Sequence, residues 1–552
     1  MQQPSLLAVA SVLFTLASPA LAQTNNYTGA TGSSWGTASN WSLNSVPTSS
    51  QDVFSANGTE VRIDSTTAAV AGNLTIGGSS GTSIVALRND SLNSLTVSGN
   101  ITLAPGGSTG QLSLGTGTQN FMSTLTIGGG TGSIMDGGGA GAATIAIFGH
   151  MGTLGLSSAT ADNLYVNQNS SGSLTIGSGQ TYTVTTTRVG SGTANVTHSL
   201  TVNGTLVSTT INPGYSAASG TNDAAFTLND GGLIQATTLR RTGSQNITFN
   251  WNGGTIQNKS ASNLTVDATS GTLTIGLAGT GTHTFEADSG RTITVASTAV
   301  LADQAGQNGT LTKSGLGTLT LNSTNTYTGA TSINAGTLIL GSSGSIANSS
   351  TINVAAGATL NVASVTGGFS IGTAQTLGGS GNVTGSATIN GNLRPGNSPG
   401  VLGFSSALNL GSTANIQMEI NGSGTRGTDY DGIDVTGTLT YGGNLDLAIA
   451  SPFAPGDYSF SLFNSASKAG TFATVTLSGA YTGNLNGVGD VWSLTSDGNT
   501  WTFTESTGVL AVSAVPEPST WALLGLFALT CAGWKLCTAK RRDAVHETKN
   551  PA

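Results

Sequence analysis

A chain of 552 residues with 81 glycines and only 7% charged side chains, against about 25% in ordinary globular domains, departs from the composition of a typical soluble enzyme. Five basic and two acidic residues lie from Lys535 onward, so of the formal charge of −8 the body ahead of them carries −11, a sign that disfavours a nucleic-acid partner. Both cysteines, Cys531 and Cys537, fall near the C-terminus, which leaves that body without disulfides or thiol chemistry.

In chain order, the first expected element is a signal peptide over residues 1–22. Leu6 to Leu16 is apolar, and Ala20-Leu21-Ala22 before Gln23 has the small-x-small form of a signal-peptidase site. Its start, Met1-Gln-Gln-Pro4, has no Lys or Arg, so the terminal amine alone supplies the positive charge. Residues 23–66 are expected to form an N-terminal β cap with Trp35 and Trp41 in its core, stacking of the two rings on a sugar being the alternative.

Residues 67–392 read as a repeat array. Leu-Thr-Ile-Gly occurs at Leu74, Leu125, Leu174 and Leu273, with a related Phe226-Thr-Leu-Asn229 between the last two, so starts are 51, 49, 52 and 47 residues apart. Leu-Thr-Val copies at Leu95, Leu200 and Leu264 suggest a subunit near half that spacing or somewhat less. Each copy alternates apolar and hydroxyl residues and ends in turn formers, the pattern of a half-buried strand. Such strands cannot each build a core, but stacked as coils of a solenoid they bury one apolar face continuously. The expected fold is therefore all-β, a parallel β-solenoid of about 20 to 25 residues per coil with β-rich caps. Sparse aromatics and frequent glycine make a series of β-sandwiches the weaker choice.

Within the array, Leu311-Thr-Lys-Ser-Gly-Leu-Gly-Thr-Leu-Thr-Leu321, Asn325-Thr-Tyr-Thr-Gly329 and Ile333-Asn-Ala-Gly-Thr-Leu338 resemble the autotransporter-associated β-strand repeat over residues 311–340. The resemblance implies a right-handed β-helix, with Lys313 and Gly315 at the incoming turn, Leu319 and Leu321 facing inward, and Tyr327 and Gly329 at the next corner. Trp35 with Ala38-Ser-Asn-Trp41, Phe249-Asn-Trp-Asn-Gly-Gly-Thr255, and Leu393-Arg-Pro-Gly-Asn-Ser-Pro-Gly400 resemble companions of that repeat in large surface proteins. The chain lacks the run of amphipathic strands of an autotransporter barrel, so self-secretion is not expected.

Residues 393–514 carry more charge and more aromatics, and are expected to form a C-terminal β module that closes the solenoid. Asp429, Asp431 and Asp434 there are a candidate Ca²⁺ cluster, three carboxylates within six residues, though without EF-hand spacing. Other chemistry is thin. His150, His198, His283 and His546 share no metal-ligand spacing, and His283 is expected to be an exposed solenoid residue with Glu286 on the opposite face of its strand. No catalytic residue and no cofactor is expected.

Residues 515–542 hold Val515-Pro516-Glu517-Pro518, an apolar run from Trp521 to Trp534, and the basic cluster Lys540, Arg541 and Arg542; residues 543–552 follow as a cytoplasmic tail. Fourteen residues cover only about 21 Å of a hydrocarbon core of about 30 Å, but nineteen, to Ala539, reach about 28 Å if Lys535 snorkels. A single transmembrane helix results, with everything before Val515 outside. This order resembles the PEP-CTERM sorting tail of bacterial envelope proteins. The resemblance implies an exosortase as partner, cutting near the Pro-Glu-Pro, and a protein that is exported and membrane-anchored, or cell-surface and extracellular once the tail is processed.

Together these features predict a non-catalytic structural or adhesin-like surface protein associated with exopolysaccharide or biofilm matrix. A β-helix polysaccharide lyase or glycosidase is one alternative. Ice binding is another, because Thr181, Thr183 and Thr185 alternate on one strand face and the same kind of tail occurs on proteins described as ice-binding.

Overall fold

The computed structural model describes residues 22–515 apart from 56–57, 65–67, 79–80, 88–93, 106–108, 115–123, 128–132, 137–141, 148–153, 167–170, 191–195, 215–222, 245, 397 and 455. The signal peptide and its Ala20, the sorting residues Pro516, Glu517 and Pro518, the apolar run, Lys540, Arg541 and Arg542, and His150 and His546 lie outside the described residues. Among those described, every regular element is a strand except one 3-10 turn at Ala38–Asn40, and no helix is long and apolar enough to cross a membrane. The chain divides into two compact units, Met1–Gly329 with Ser343–Ile346 and Ala330–Ser342 with Ala347–Ala552.

The first unit is a parallel β-solenoid whose coils have three faces. One face stacks Gly172–Ile176, Thr197–Val202, Asp223–Leu228, Asn246–Trp251, Leu273–Leu277 and Ala299–Asp303. The other two are shared by long strands such as Thr181–Val189 and Leu233–Arg241, which later coils split into pairs such as Gly254–Asn258 and Leu264–Ala268. Period-two alternation sets the inside: Leu174, Leu200 and Phe226 stand in one register column, all fully buried. The Leu-Thr-Val copy at Leu95 lies directly against the Leu-Thr-Ile copy at Leu125, so the full spacing of the Leu-Thr-Ile copies does span more than one coil. Leu74, by contrast, stacks on Ile101 in a different sheet. One tetrapeptide thus serves several faces, because any half-buried strand accepts it. At about 1.5–3 kcal/mol per buried Leu, Ile or Val, this continuous column is the principal source of stability.

Corners are fixed by polar ladders. Asn229 donates to Asn203 at 2.7 Å, Asn252 to Asn229 at 2.8 Å and Gln304 to Asn252 at 2.9 Å, the first two steps taking 26 and 23 residues. Asn229 donates to the preceding coil and accepts from the following one, while Asn252 donates to Asn229 and accepts from Gln304 two coils on.

The described residues between 23 and 64 belong to this winding. Gln23–Asn26 pairs in parallel with Gln51–Ser55, and Ser33–Ser34 with Glu60–Ile63. Trp35 and Trp41 are buried inside, edge to face at 4.8 Å, with Trp41 Nε1 donating to the Trp35 carbonyl at 2.8 Å. Their faces are core, not a sugar platform.

The second unit is also parallel. Its register runs past residue 392, through Asn415–Ile420, Asn444–Ile449 and Thr474–Gly479, to residue 479. Glu419 and Asp446 take outward positions on these strands, Asn444–Ile449 having a strict outside-inside alternation, whereas Asp431, between strands, is buried. Tyr458–Ser461, Val509–Ala514, Asn499–Thr504, Val491–Ser496 and Asn486–Val488 form an antiparallel sheet, and Gly483–Asn484 pairs antiparallel with Thr474–Gly479.

Candidate functional site

The segment 311–340 contributes to both units. In the first, Leu319 and Leu321 are buried and Gly315 takes a positive φ of 72° at the turn. Lys313 is fully buried, and its ammonium donates to the carbonyls of Ser314 at 2.6 Å and Gly315 at 2.8 Å. Burial pushes the Lys313 ammonium down to about 8, with the Glu286 carboxylate opposing that shift. Asn325, also buried, accepts from the Leu301 amide at 3.0 Å and donates to the Ser323 and Ser345 carbonyls. At the following corner Tyr327 is buried, and Asp303 receives the Thr328 hydroxyl at 2.6 Å and the Gly309 amide at 2.7 Å. In the second unit Thr331, Ile333, Leu338 and Leu340 face inward, the Thr331 hydroxyl meeting that of Ser349 at 2.9 Å. The polar residues of this motif are therefore structural: they satisfy turns.

His283 corrects the sequence expectation, since it is fully buried rather than exposed. Its strand His283–Glu286 alternates inside and outside, the register partner of His283 is Gly254, and the imidazole packs edge to face against Trp251 at 5.5 Å. Burial lowers the imidazole below its ordinary pKa, against backbone groups of Trp251 and Thr310. Glu286 lies on the outward face, as the alternation requires.

The three aspartates have separate duties. Asp429 accepts from the Thr425 amide, Asp434 pairs with Arg426 at 2.9 Å, and Asp431 is buried, accepting the Gly400 amide at 2.8 Å and the Glu419 amide at 2.7 Å. The structure does not bring them together on one cation, and among the described residues no group of three or more His, Cys, Asp or Glu is placed to hold a metal ion. Asp431 instead latches the Leu393 to Gly400 loop, where Gly396 needs a φ of 82°. Burial pushes its carboxyl up to about 7, the Glu419 charge adds to this, and the two amide bonds oppose it. A carboxyl raised in the folded state binds its proton more tightly there than in the unfolded chain, so its contribution is full below pH 4 and is lost as pH rises through 7. Thermal melts of the second unit should fall in midpoint between pH 4 and pH 7.5, and Asp431→Asn should flatten that fall; an unchanged slope in the variant counts against the latch.

The outward faces are rich in hydroxyls, with charged side chains such as Arg188, Arg240, Asp267 and Glu286 among them. Thr186, Thr210, Thr238, Thr265, Thr294 and Thr320 occupy one register column through six successive coils. At about 4.8 Å per strand the column is about 24 Å long. The threonines singled out from sequence do not head it: the column of Thr181 reaches Leu233 after Thr205, and Thr183 is followed by Val207. Sequence spacing hides this column because coils differ in length, and only the register aligns its members.

Among the described residues, several concavities open on these faces. In the first unit, a groove of about 400 Å³ includes Asp230, Thr255, Gln257, Thr284 and Glu286, and another of about 460 Å³ includes Thr248, Asn250, Thr274, Gly276, Gln304 and Gln307. In the second, one of about 350 Å³ includes Asn382, Gly403, Asp434 and Asn464.

The passenger-associated-transport-repeat family matches residues 311–340. No curated protein matches the chain. A β-solenoid carrying this autotransporter-associated repeat points to an exported, adhesin-like protein of the cell surface.

Proposed function

We propose that the protein is a non-catalytic surface solenoid that binds exopolysaccharide or another neutral envelope polysaccharide through its outward faces. The observation that carries this reading is the hydroxyl- and amide-rich outward surface built in register over successive coils, together with the passenger repeat. Sorting by an exosortase at Val515, Pro516, Glu517 and Pro518, with membrane anchoring by the following apolar run or release after cleavage, belongs to the same proposal and rests on the tail's resemblance. The test is binding of the purified protein to a panel of envelope and extracellular polysaccharides, with released reducing or unsaturated sugar assayed in the same wells. Binding without product is the expected result. Product would favour a lyase or glycosidase instead, for which Asp230 and Glu286, the carboxylates sharing one groove, are the residues to substitute first.

A second reading is favoured by the six-threonine column: an ordered array of hydroxyls and methyls suits the surface of ice. Thermal hysteresis that disappears in Thr238→Lys and Thr265→Lys would support it, and no hysteresis at any protein concentration would reject it.

A further inference from the structure

On the third face of the first unit, Thr175, Thr201 and Thr227 stand in one outward column, and the same column continues as Asn250, Gly276 and Ala302. Glycine in place of threonine at 276 removes the outward side chain from that coil, and Gly276 lines a concavity of about 460 Å³. Its rear wall is held still. Gln304 donates to Asn252 at 2.9 Å and to the Gly276 carbonyl at 3.0 Å, and Gln307 accepts from the Gly279 amide.

Asparagine beside glycine in the next coil occurs elsewhere with a different outcome. Asn382 and Asn390 turn their carboxamide oxygens over Gly403 and Gly411, filling the space that the missing side chains leave. Over Gly276 no asparagine folds in this way, and the nearest side-chain atom belongs to Gln304. Among the described residues, Asn250, Thr248 and Thr274 make no side-chain hydrogen bond to the protein, so one carboxamide and two hydroxyls face the concavity with donors and acceptors free.

We infer that this notch is a subsite for one or two residues of a neutral polysaccharide, with Asn250, Thr248 and Thr274 hydrogen-bonding sugar hydroxyls against the fixed Gln304 and Gln307 wall. The volume suits a ligand of that size. No ionisable side chain lines it, so nothing there would offset the desolvation of a uronate or sulfate group. The inference rests on the polysaccharide-binding reading and gives it a location.

The test uses the full chain in affinity electrophoresis through gels containing dextran, mixed-linkage β-glucan or galactomannan, with polygalacturonate as the charged comparison. Asn250→Ala removes the free amide, and Gly276→Thr restores the threonine column and fills the notch; melting curves check that each folds. Should Gly276→Thr not fold, Asn250→Ala and Thr274→Ala carry the test. Retardation of the wild type by a neutral glycan is expected, with apparent Kd raised about tenfold in the variants, equivalent to about 1.4 kcal/mol. Variants retarded like the wild type would overturn the notch and leave surface binding intact. Preference for polygalacturonate would overturn the argument from the uncharged lining. A wild type retarded by none of these gels would remove the polysaccharide reading and the notch together.

Discussion

Trp251→Ala should destabilise the first unit by about 3–5 kcal/mol, seen as a lowered thermal midpoint and a broadened transition. The indole is fully buried, edge to face with Phe285 at 4.9 Å and His283 at 5.5 Å, and its Nε1 donates to the Gly254 carbonyl at 3.3 Å. No neighbouring side chain is positioned to refill the volume, because the strand register fixes Leu228 and Leu277 on the coils either side. A solenoid is a chain of nearest-neighbour interfaces, so a cavity in one coil weakens its contacts with both adjacent coils. Phe249→Leu, two residues earlier, keeps most of the core volume and should cost markedly less. A midpoint for Trp251→Ala within about 1 °C of the wild type would mean that the aromatic pocket contributes little and that the amide ladders dominate.

The parallel coils were legible because alternation is local: Leu-Thr-Ile declares which side is buried without reference to any other strand. What a strand stacks on was not legible, since Leu74 and Leu174 read alike yet lie in different sheets. The extent of the solenoid was misread for a related reason. Charged and aromatic residues after Pro395 look like a change of module, but Asp446 is an outward position and Tyr441 an inward one of the same parallel winding. His283 shares the inward face of Phe285 in its own strand, so alternation alone places it inside although a histidine reads as a polar, outward residue. The notch was not legible, because Asn250 and Gly276 are brought together only by the register of coils of unequal length.

Glu505→Leu should destabilise the antiparallel end of the second unit by about 3 kcal/mol, while Glu505→Gln should cost under about 1 kcal/mol. Glu505 is buried, and a single oxygen, Oε1, accepts from the Thr471 hydroxyl at 2.9 Å, the Phe472 amide at 2.8 Å and Trp492 Nε1 at 2.9 Å. These donors come from the approach to the last parallel strand and from the antiparallel sheet, so one carboxylate joins the two kinds of pairing. Leucine would leave the Phe472 amide and the Trp492 indole N–H without an acceptor, and each unsatisfied buried donor costs about 1–3 kcal/mol. Glutamine keeps an oxygen at the same place. The Tyr441 hydroxyl also bonds the Glu505 carbonyl at 3.2 Å, and Tyr441, Phe463, Phe472 and Phe503 pack around this point, so loosening it exposes a large apolar cluster. That exposure matters because the last coil has no further coil to cover it, and an uncovered strand edge invites pairing with another chain. Tryptophan fluorescence of Trp492 and concentration-dependent light scattering should therefore change together in Glu505→Leu and in neither respect in Glu505→Gln. Equal behaviour of the two variants would show that the charge, rather than the acceptor, holds the end closed.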